Sequence, residues 1–427
     1  MEQVRRLVVG AGVSGLAFTD WLQDDDVLVV EAEHEIGGYC RTVEQDGFVW
    51  DYSGHFFHFR HPEIETYLVD RMADQEVRVI EKDSRIWYRG AFVDFPFQRN
   101  IHQLPKDELL ECLYDLHFRA ESHPPDQVRS FQDMLYAKFG RAIADKFLVP
   151  YNEKLYATDL SRLDVDAMGR FFPYADVDDV IRNFRRPENG SYNATFTYPE
   201  RGAIQYVHAL ARDIDPARIA LEERVVSIDL QARVARTTHR EIRYQSLVSS
   251  MPLPTLLRLC GVPFDESIYS WNVVQVFNLG FDRKGPEGCH WVYFPQRELS
   301  FYRVGFYDNI FGTDRMSMYV ELGRSAGFEA SADEIEATRA QVIEDLRSVG
   351  FVDDHRLVSS HHVLLDPAYV HITRESVADV TAKKAALAGQ GVHSIGRYGS
   401  WTYCSIEDNI VEARALADAF NLADAAG

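Results

Sequence analysis

The stretch from Leu7 to Glu31 constrains the chain more than any other. Leu7–Val9 is a short apolar strand, and Gly10, Gly12 and Gly15 follow it with the spacing G-x-G-x-x-G. An apolar helix runs from about Ser14 to Leu22, and a second apolar strand, Val27–Val30, closes on Glu31, sixteen residues beyond Gly15. Each glycine has a separate reason to be there: Gly10 for the tight turn, Gly12 so that backbone can approach a pyrophosphate, Gly15 for close helix–strand packing. Free N–H groups at the helix N-terminus attract the anion, and an acid at the end of the second strand accepts hydrogen bonds from a ribose diol. Three glycines alone are compatible with an ordinary turn in an α/β core. The strand, helix, second strand and terminal acid in register predict a dinucleotide-binding β-α-β unit. Two arginines before this apolar start give it a passing likeness to a secretory signal, which the glycines and Asp20 contradict.

Beyond this unit, the stretch from Glu63 to Phe147 reads mainly as helix. Pro105 and Lys106-Asp107-Glu108 open one helix with Leu109, Leu110, Leu113 and Leu116 on one face. Ser130 and Asp133 form a capping pattern ahead of Met134, Leu135, Phe139, Ile143 and Phe147. From Tyr192 the texture turns to β, with apolar or alternating runs at 193–198, 224–230, 273–281, 290–294, 301–306 and 318–322. Ser331–Arg347 is a further amphipathic helix with Ser331 and Glu334 as its capping box. The chain has 427 residues, 46% of them hydrophobic, which excludes wholesale disorder. Its 45 basic and 66 acidic residues leave a net charge of −21, which argues against nucleic acid or an anionic membrane as a main partner. A small anionic ligand then needs a local patch of arginines. Five cysteines without a close pair give neither a disulfide framework nor a zinc signature, and fit a cytoplasmic location. No apolar run approaches the ~18 residues that cross a bilayer, so no membrane insertion is expected. His34, His58, His361 and His362 lack ligand-like spacing, and no metal is expected.

Past the ribose acid come Gly37-Gly38 and Arg41, then Gly54-His55. That pairing resembles the large FAD family of amine oxidases, protoporphyrinogen oxidase, carotenoid desaturases and UDP-galactopyranose mutase. Further strings resemble UDP-galactopyranose mutase in particular: Phe95-Pro96-Phe97-Gln98, Phe147 through Lys154, Gly169-Arg170, Asn193 through Pro199, Trp291–Pro295, Phe301-Tyr302-Arg303, Gly396–Tyr403 and Asp408-Asn409. Their order spans nearly the whole chain. The resemblance implies an α/β fold with a Rossmann-like FAD-binding domain (1–60, 195–265 and 388–427), a mainly helical insert domain (61–194) and an antiparallel β-sheet substrate domain (266–387). It implies that Gly10, Gly12, Ser14, Gly15, Glu31, Gly38, Arg41, Gly54, Val225, Gly396, Arg397, Asp408 and Asn409 hold FAD. Phe97, Gln98, Asn152, Asn193, Trp291, Tyr293, Tyr369 and Tyr403 are the implied substrate contacts, and His55, Arg170 and Arg303 the catalytic ones. Arg303 also stands out without the resemblance, because a charge alone in an apolar strand needs an anionic partner.

The implied activity is the interconversion of pyranose and furanose forms of a UDP-sugar, UDP-galactose above others. Reduced flavin N5 would bond to the anomeric carbon while Arg170 and Arg303 grip the departing diphosphate. His55 would serve through its loop rather than as an acid or base. NAD(P)H is a candidate external reductant, and a homo-oligomer is left open. The sequence departs from the mutase pattern at Ser53, where a glycine is expected, at Phe95 for a tyrosine, and at Tyr156 for a tryptophan. The same N-terminal motifs also suit an FAD-dependent oxidase or desaturase of the amine oxidase type, which needs no paired diphosphate arginines, or a non-catalytic FAD-binding protein.

Overall fold

The computed structural model describes residues 1–173, 175–185 and 194–426. Two seven-stranded sheets carry the architecture. In the first, Glu2–Val9 lies parallel between Val27–Val30 and Glu241–Ser249, with Leu7 opposite Leu28 on one side and Leu247 on the other. Every residue of Val27–Val30 is buried, as a parallel strand covered on both faces requires. Ile219–Ala220 extends the sheet past Val27–Val30. One edge of Glu241–Ser249 is divided: its first residues pair antiparallel with Val234–Thr237 and its last pair parallel with Val392–Ser394. The helix Val13–Trp21 is buried from Ser14 to Thr19, because the last helix, Ile406–Ala426, and the helix Ile204–Ala211 cover what the sheet leaves. Phe18 meets Phe420 of that last helix edge-on at 5.6 Å.

The second sheet runs Leu357–Leu365, Asn272–Phe281, Ser317–Ser325, Arg303–Phe306, Trp291–Tyr293, Ser84–Tyr88, Ala91–Asp94. Its pairings are antiparallel except that of Trp291–Tyr293 with Ser84–Tyr88. All of Asn272–Phe281 is buried, and its side chains alternate between two cores: Val274 and Val276 in one, Phe277, Leu279 and Phe281 in the other. The helix Ala332–Ser348 closes the second core with Val342 and Leu346, and begins in the expected capping box: Ser331 Oγ accepts from the Glu334 N–H while Glu334 accepts from the Ser331 N–H.

Helices Lys106–Ser122 and Phe131–Ile143 pack together, the second starting at the Ser130–Asp133 capping box. Gly140, with φ +75°, kinks the second helix against the first; a Cβ there would lie 2.4 Å from the Asp115 carbonyl oxygen. A π-turn, Ala144–Leu148, then leads into Val149–Tyr156. Two expectations for this region need correction. Leu110 is 53% exposed, so the buried face of its helix is set by Cys112 and Leu116 and turns away from it. The expected helical stretch is also interrupted by strands Val77–Glu81, Ser84–Tyr88 and Ala91–Asp94. In Ser84–Tyr88 the residues alternate between buried and half-buried, a period of two that favours a strand over a helix.

Candidate functional site

One end of each sheet opens on a common cavity of about 750 Å³, inside the roughly 300–1,000 Å³ usual for small-molecule sites. Its first end is the glycine turn. Gly10 has φ +103°, and Gly12 caps the helix Val13–Trp21 without a side chain of its own, so no side-chain cap occupies the first N–H groups among the described residues. The Gly37 N–H donates to the Ala11 carbonyl at 2.9 Å, which brings Gly37-Gly38 beside Gly12. Gly15 lies behind the turn, where a Cβ would be 1.9 Å from the Gly10 oxygen. Glu31 stands at the rim, its carboxylate accepting from the Ala11 N–H at 2.7 Å and the Glu33 N–H at 3.0 Å. Gly10, Gly12, Ser14, Glu31, Gly38 and Val225 line this end. Asn409 knits it to the C-terminal segment: its Oδ1 accepts the Arg397 N–H at 2.6 Å and lies 3.4 Å from Ser14 Oγ.

At the other end the walls are aromatic. Trp291 Nε1–H donates to the Tyr293 hydroxyl oxygen at 2.7 Å, so the phenolic hydrogen of Tyr293 is left for another acceptor. Tyr151 meets Tyr293 edge-on at 5.3 Å, and Tyr369 stacks on Tyr403 at 5.9 Å. The Arg397 guanidinium sits 5.1 Å from the Tyr369 ring centre and 4.8 Å from that of Tyr403. It makes no ion pair among the described residues, and its buried Nε lacks a hydrogen-bond partner. Arg303 is different. Its Nε and Nη2 each donate at 2.7 Å to the two oxygens of Glu321, which is fully buried directly opposite on the next strand. Ser53 Oγ donates to Glu321 as well. Burial alone would raise the Glu321 pKa, but the Arg303 charge and these hydrogen bonds hold it below the usual carboxylate range.

Burial lowers the His55 pKa to about 4, opposed by Glu321 and reinforced by Arg397 and Arg303, so the imidazole is neutral at pH 7. Its Nδ1 is buried without a hydrogen-bond partner among the described residues. Burial pushes the Tyr293 and Tyr403 hydroxyls up to about 12, and those of Tyr151, Tyr302 and Tyr319 well above their ordinary value. These phenols remain protonated and serve as neutral hydrogen-bond donors.

The family model of flavin-containing amine oxidoreductases matches residues 13–419, nearly the whole chain. The chain belongs to this family. Flavin is the cofactor of the flavin-containing amine oxidoreductases, and the fold described above is theirs. A crystal structure of reduced UDP-galactopyranose mutase is similar with a TM-score of 0.88 at 23% identity, covering 98% of this chain and 94% of that one. Cyclohexylamine oxidase from Brevibacterium oxydans IH-35A is similar with a TM-score of 0.67 at 17% identity, covering 98% of each. At such identities these likenesses speak for the fold alone. The mitochondrial protoporphyrinogen oxidase of Nicotiana tabacum is 39% identical over 161 residues, 34% of this chain and 31% of that protein. The chain thus spans about a third of the length of the curated relatives it matches.

FAD fits the residues present. The side-chain-free turn of Gly10, Gly12 and Gly38 offers backbone N–H groups to a pyrophosphate, and Glu31 offers a carboxylate to a ribose. His55 and Arg397, whose buried Nδ1 and Nε have no hydrogen-bond partner among the described residues, line the same cavity as that turn. Of the expected contacts, Gly54, His55, Asn152, Trp291, Tyr293, Arg303, Tyr369, Arg397, Tyr403 and Asn409 also line the cavity.

Several expected residues stand elsewhere. Arg170 lies outside the lining, paired at 2.5 Å with Asp408, also outside, with its guanidinium 4.2 Å from the Phe171 ring centre. An acid 238 residues away therefore takes the place of the expected diphosphate. Phe97 is in the core, stacked on Phe147 at 5.2 Å, and Gln98 is fully buried and donates to the Pro173 carbonyl. Arg41 is buried and donates to the Glu35 and Ile36 carbonyls, shaping the Gly37-Gly38 turn from behind. Gly396, at φ +80°, lets Ser14 approach: a Cβ would fall 2.4 Å from its Oγ. Asn193 lies outside the described residues. Sequence reasoning missed Glu321, although Val320 and Leu322 frame it as an isolated charge just as Tyr302 and Val304 frame Arg303. It also passed over Tyr319, one of the many aromatics in the apolar strands, and noted Tyr302 only within the string around Arg303.

Proposed function

We propose that this flavoprotein is a mutase that interconverts the pyranose and furanose forms of a UDP-sugar, UDP-galactose above others. The observation that carries the reading is the polarity of the far end of the cavity. Guanidinium groups and phenolic donors converge there, and among the described residues no carboxylate pairs with Arg397. An oxygen-rich, anionic ligand suits such a wall, whereas a protonated amine would meet like charge. Bound FAD, in its reduced form, supplies a nucleophilic ring nitrogen for the sugar's anomeric carbon.

The protein's own part is to bind, orient and exclude. The remaining terminal nitrogen of Arg303 and the hydroxyl of Tyr293 donate directed hydrogen bonds to the diphosphate as it departs. Trp291, Tyr151 and Phe95 wall the ligand and keep water from the reacting carbon. His55, neutral, relays no proton; its turn sets the position of the flavin ring. Arg397, rather than Arg170, is the second cation of the site. Residues 1–60, 195–265 and 388–427 form the FAD-binding unit in this reading, with 61–194 and 266–387 enclosing the substrate.

An oxidase of the amine oxidase type is the second reading, favoured by the stacked Tyr369 and Tyr403 rings, which resemble an aromatic cage. The guanidinium lodged against both rings weighs against an amine there. Incubating dithionite-reduced protein with UDP-galactofuranose and a panel of sugar nucleotides, and resolving products by chromatography, separates the two. Conversion by the reduced and not by the oxidised protein is expected. Absence of conversion, with oxygen consumed in the presence of amines, would overturn the mutase reading.

A further inference from the structure

Among the described residues, Arg303 is the one guanidinium lining the cavity that shares a bidentate pair with a buried acid, and this pairing bears on how strongly it holds an anion. Glu321 accepts from Nε and Nη2 of Arg303 and from the Ser53 hydroxyl, and Nη1 has no hydrogen-bond partner among the described residues. Two consequences follow. The fork geometry fixes the guanidinium plane, so a single terminal nitrogen is presented in a defined direction. The two charges also cancel, so an anion beside Arg303 meets a directed donor with little net charge behind it. Ser53, hydrogen-bonded to Glu321 and followed in the chain by Gly54-His55, connects this pair to the turn beside the flavin cradle.

We propose that Glu321 is a positioning residue that sets the charge and the aim of the Arg303 anion site, with Ser53 tying this setting to the Gly54-His55 turn. A diphosphate is thereby gripped through directed hydrogen bonds and is easily released. An unpaired buried arginine would bind it more tightly and let it go more slowly. The ligand named here rests on the nucleotide-sugar reading; the charge argument does not.

The test uses FAD-loaded Glu321→Gln and Glu321→Asp proteins, with UDP as the ligand and the midpoint potential of the bound flavin as a readout independent of any ligand. The Glu321→Gln change leaves Arg303 with its full charge. UDP affinity is expected to rise about tenfold, turnover to fall, and the midpoint potential to move to more positive values. The Glu321→Asp change keeps the negative charge, but the shorter side chain cannot hold both nitrogens. In that variant the potential should stay near that of the wild type, UDP affinity should not rise, and turnover should fall.

Unchanged potential and unchanged or weaker UDP binding in Glu321→Gln would overturn the assignment. If wild-type protein binds no UDP, the nucleotide-sugar reading fails, and the potential alone decides the role of Glu321. Should Glu321→Gln not yield folded holoprotein, the double variant Arg303→Gln/Glu321→Gln leaves no unpaired charge. Its potential should match the wild type if the pair is neutral, and a fall in potential would show that Arg303 acts as an uncancelled cation.

Discussion

Truncating Arg303 to alanine strips the buried Glu321 carboxylate of its counter-charge. Leaving one member of a buried pair unpaired costs about 3–5 kcal/mol, so Arg303→Ala is expected to melt at a clearly lower temperature. It should also lose nearly all turnover while keeping its flavin, checked by the ratio of flavin to protein absorbance; loss of the flavin would make Arg303 structural. Tyr293→Phe removes the phenolic hydrogen that the Trp291 donor leaves for the ligand. One hydrogen bond to a charged group is worth roughly 1.5–3 kcal/mol, so KM for the sugar nucleotide should rise by at least about tenfold, with the flavin spectrum unchanged. Steady-state kinetics against substrate concentration measures it. At this scale the sequence was legible where chemistry was out of place: a lone charge in an apolar strand demanded a partner. It did not say whether that partner is a ligand or another strand, which depends on register. Arg170 was not legible at all, since its partner Asp408 is near it only after folding.

Elements place these residues through close approaches that tolerate no added atom. Gly15→Ala would put a methyl carbon 1.9 Å from the Gly10 carbonyl oxygen, forcing the helix Val13–Trp21 off the first strand. The variant is expected to purify without yellow colour, and a normal flavin content would count against the cradle. The pair Arg170–Asp408 joins the turn Gly169–Phe171, whose Phe171 lines the cavity, to the last helix. The pair is partly exposed, so Asp408→Asn should cost less than about 1 kcal/mol, but limited proteolysis should cut near residue 170 sooner than in the wild type. The β-α-β unit and the helix capped by Ser331 were readable because each has local punctuation: glycines at fixed spacing, a capping box, a clean period. Strand Ser84–Tyr88 was missed because its parallel neighbour Trp291–Tyr293 is distant in sequence, and Ala91–Asp94, its local hairpin partner, was missed with it. Leu110 was assigned to the buried face because leucine spacing alone does not fix which way a helix turns against its neighbour.

For the molecule as a whole, two buried groups tilt stability against pH in opposite directions. Asp51, accepting from Thr42, Tyr198 and the Ala203 N–H, is pushed up by burial to about 7. The folded protein keeps this proton where the unfolded chain, near the ordinary value of 3.8, has lost it. Its contribution is therefore full at acid pH and is lost as pH rises through about 7. His55, lowered to about 4, acts the other way: its contribution is full above 6.5 and is lost as pH falls towards 4. The two contributions oppose each other where their ranges overlap. Asp51→Asn cannot ionise, so its melting temperature relative to wild type should climb between about pH 4 and 7; parallel curves would refute the shift. The cavity itself draws on Gly10 near one end of the sequence and Asn409 near the other. The whole stretch between these two residues must therefore have left the ribosome before the nascent protein can complete its coenzyme site, so loading follows the synthesis of that stretch.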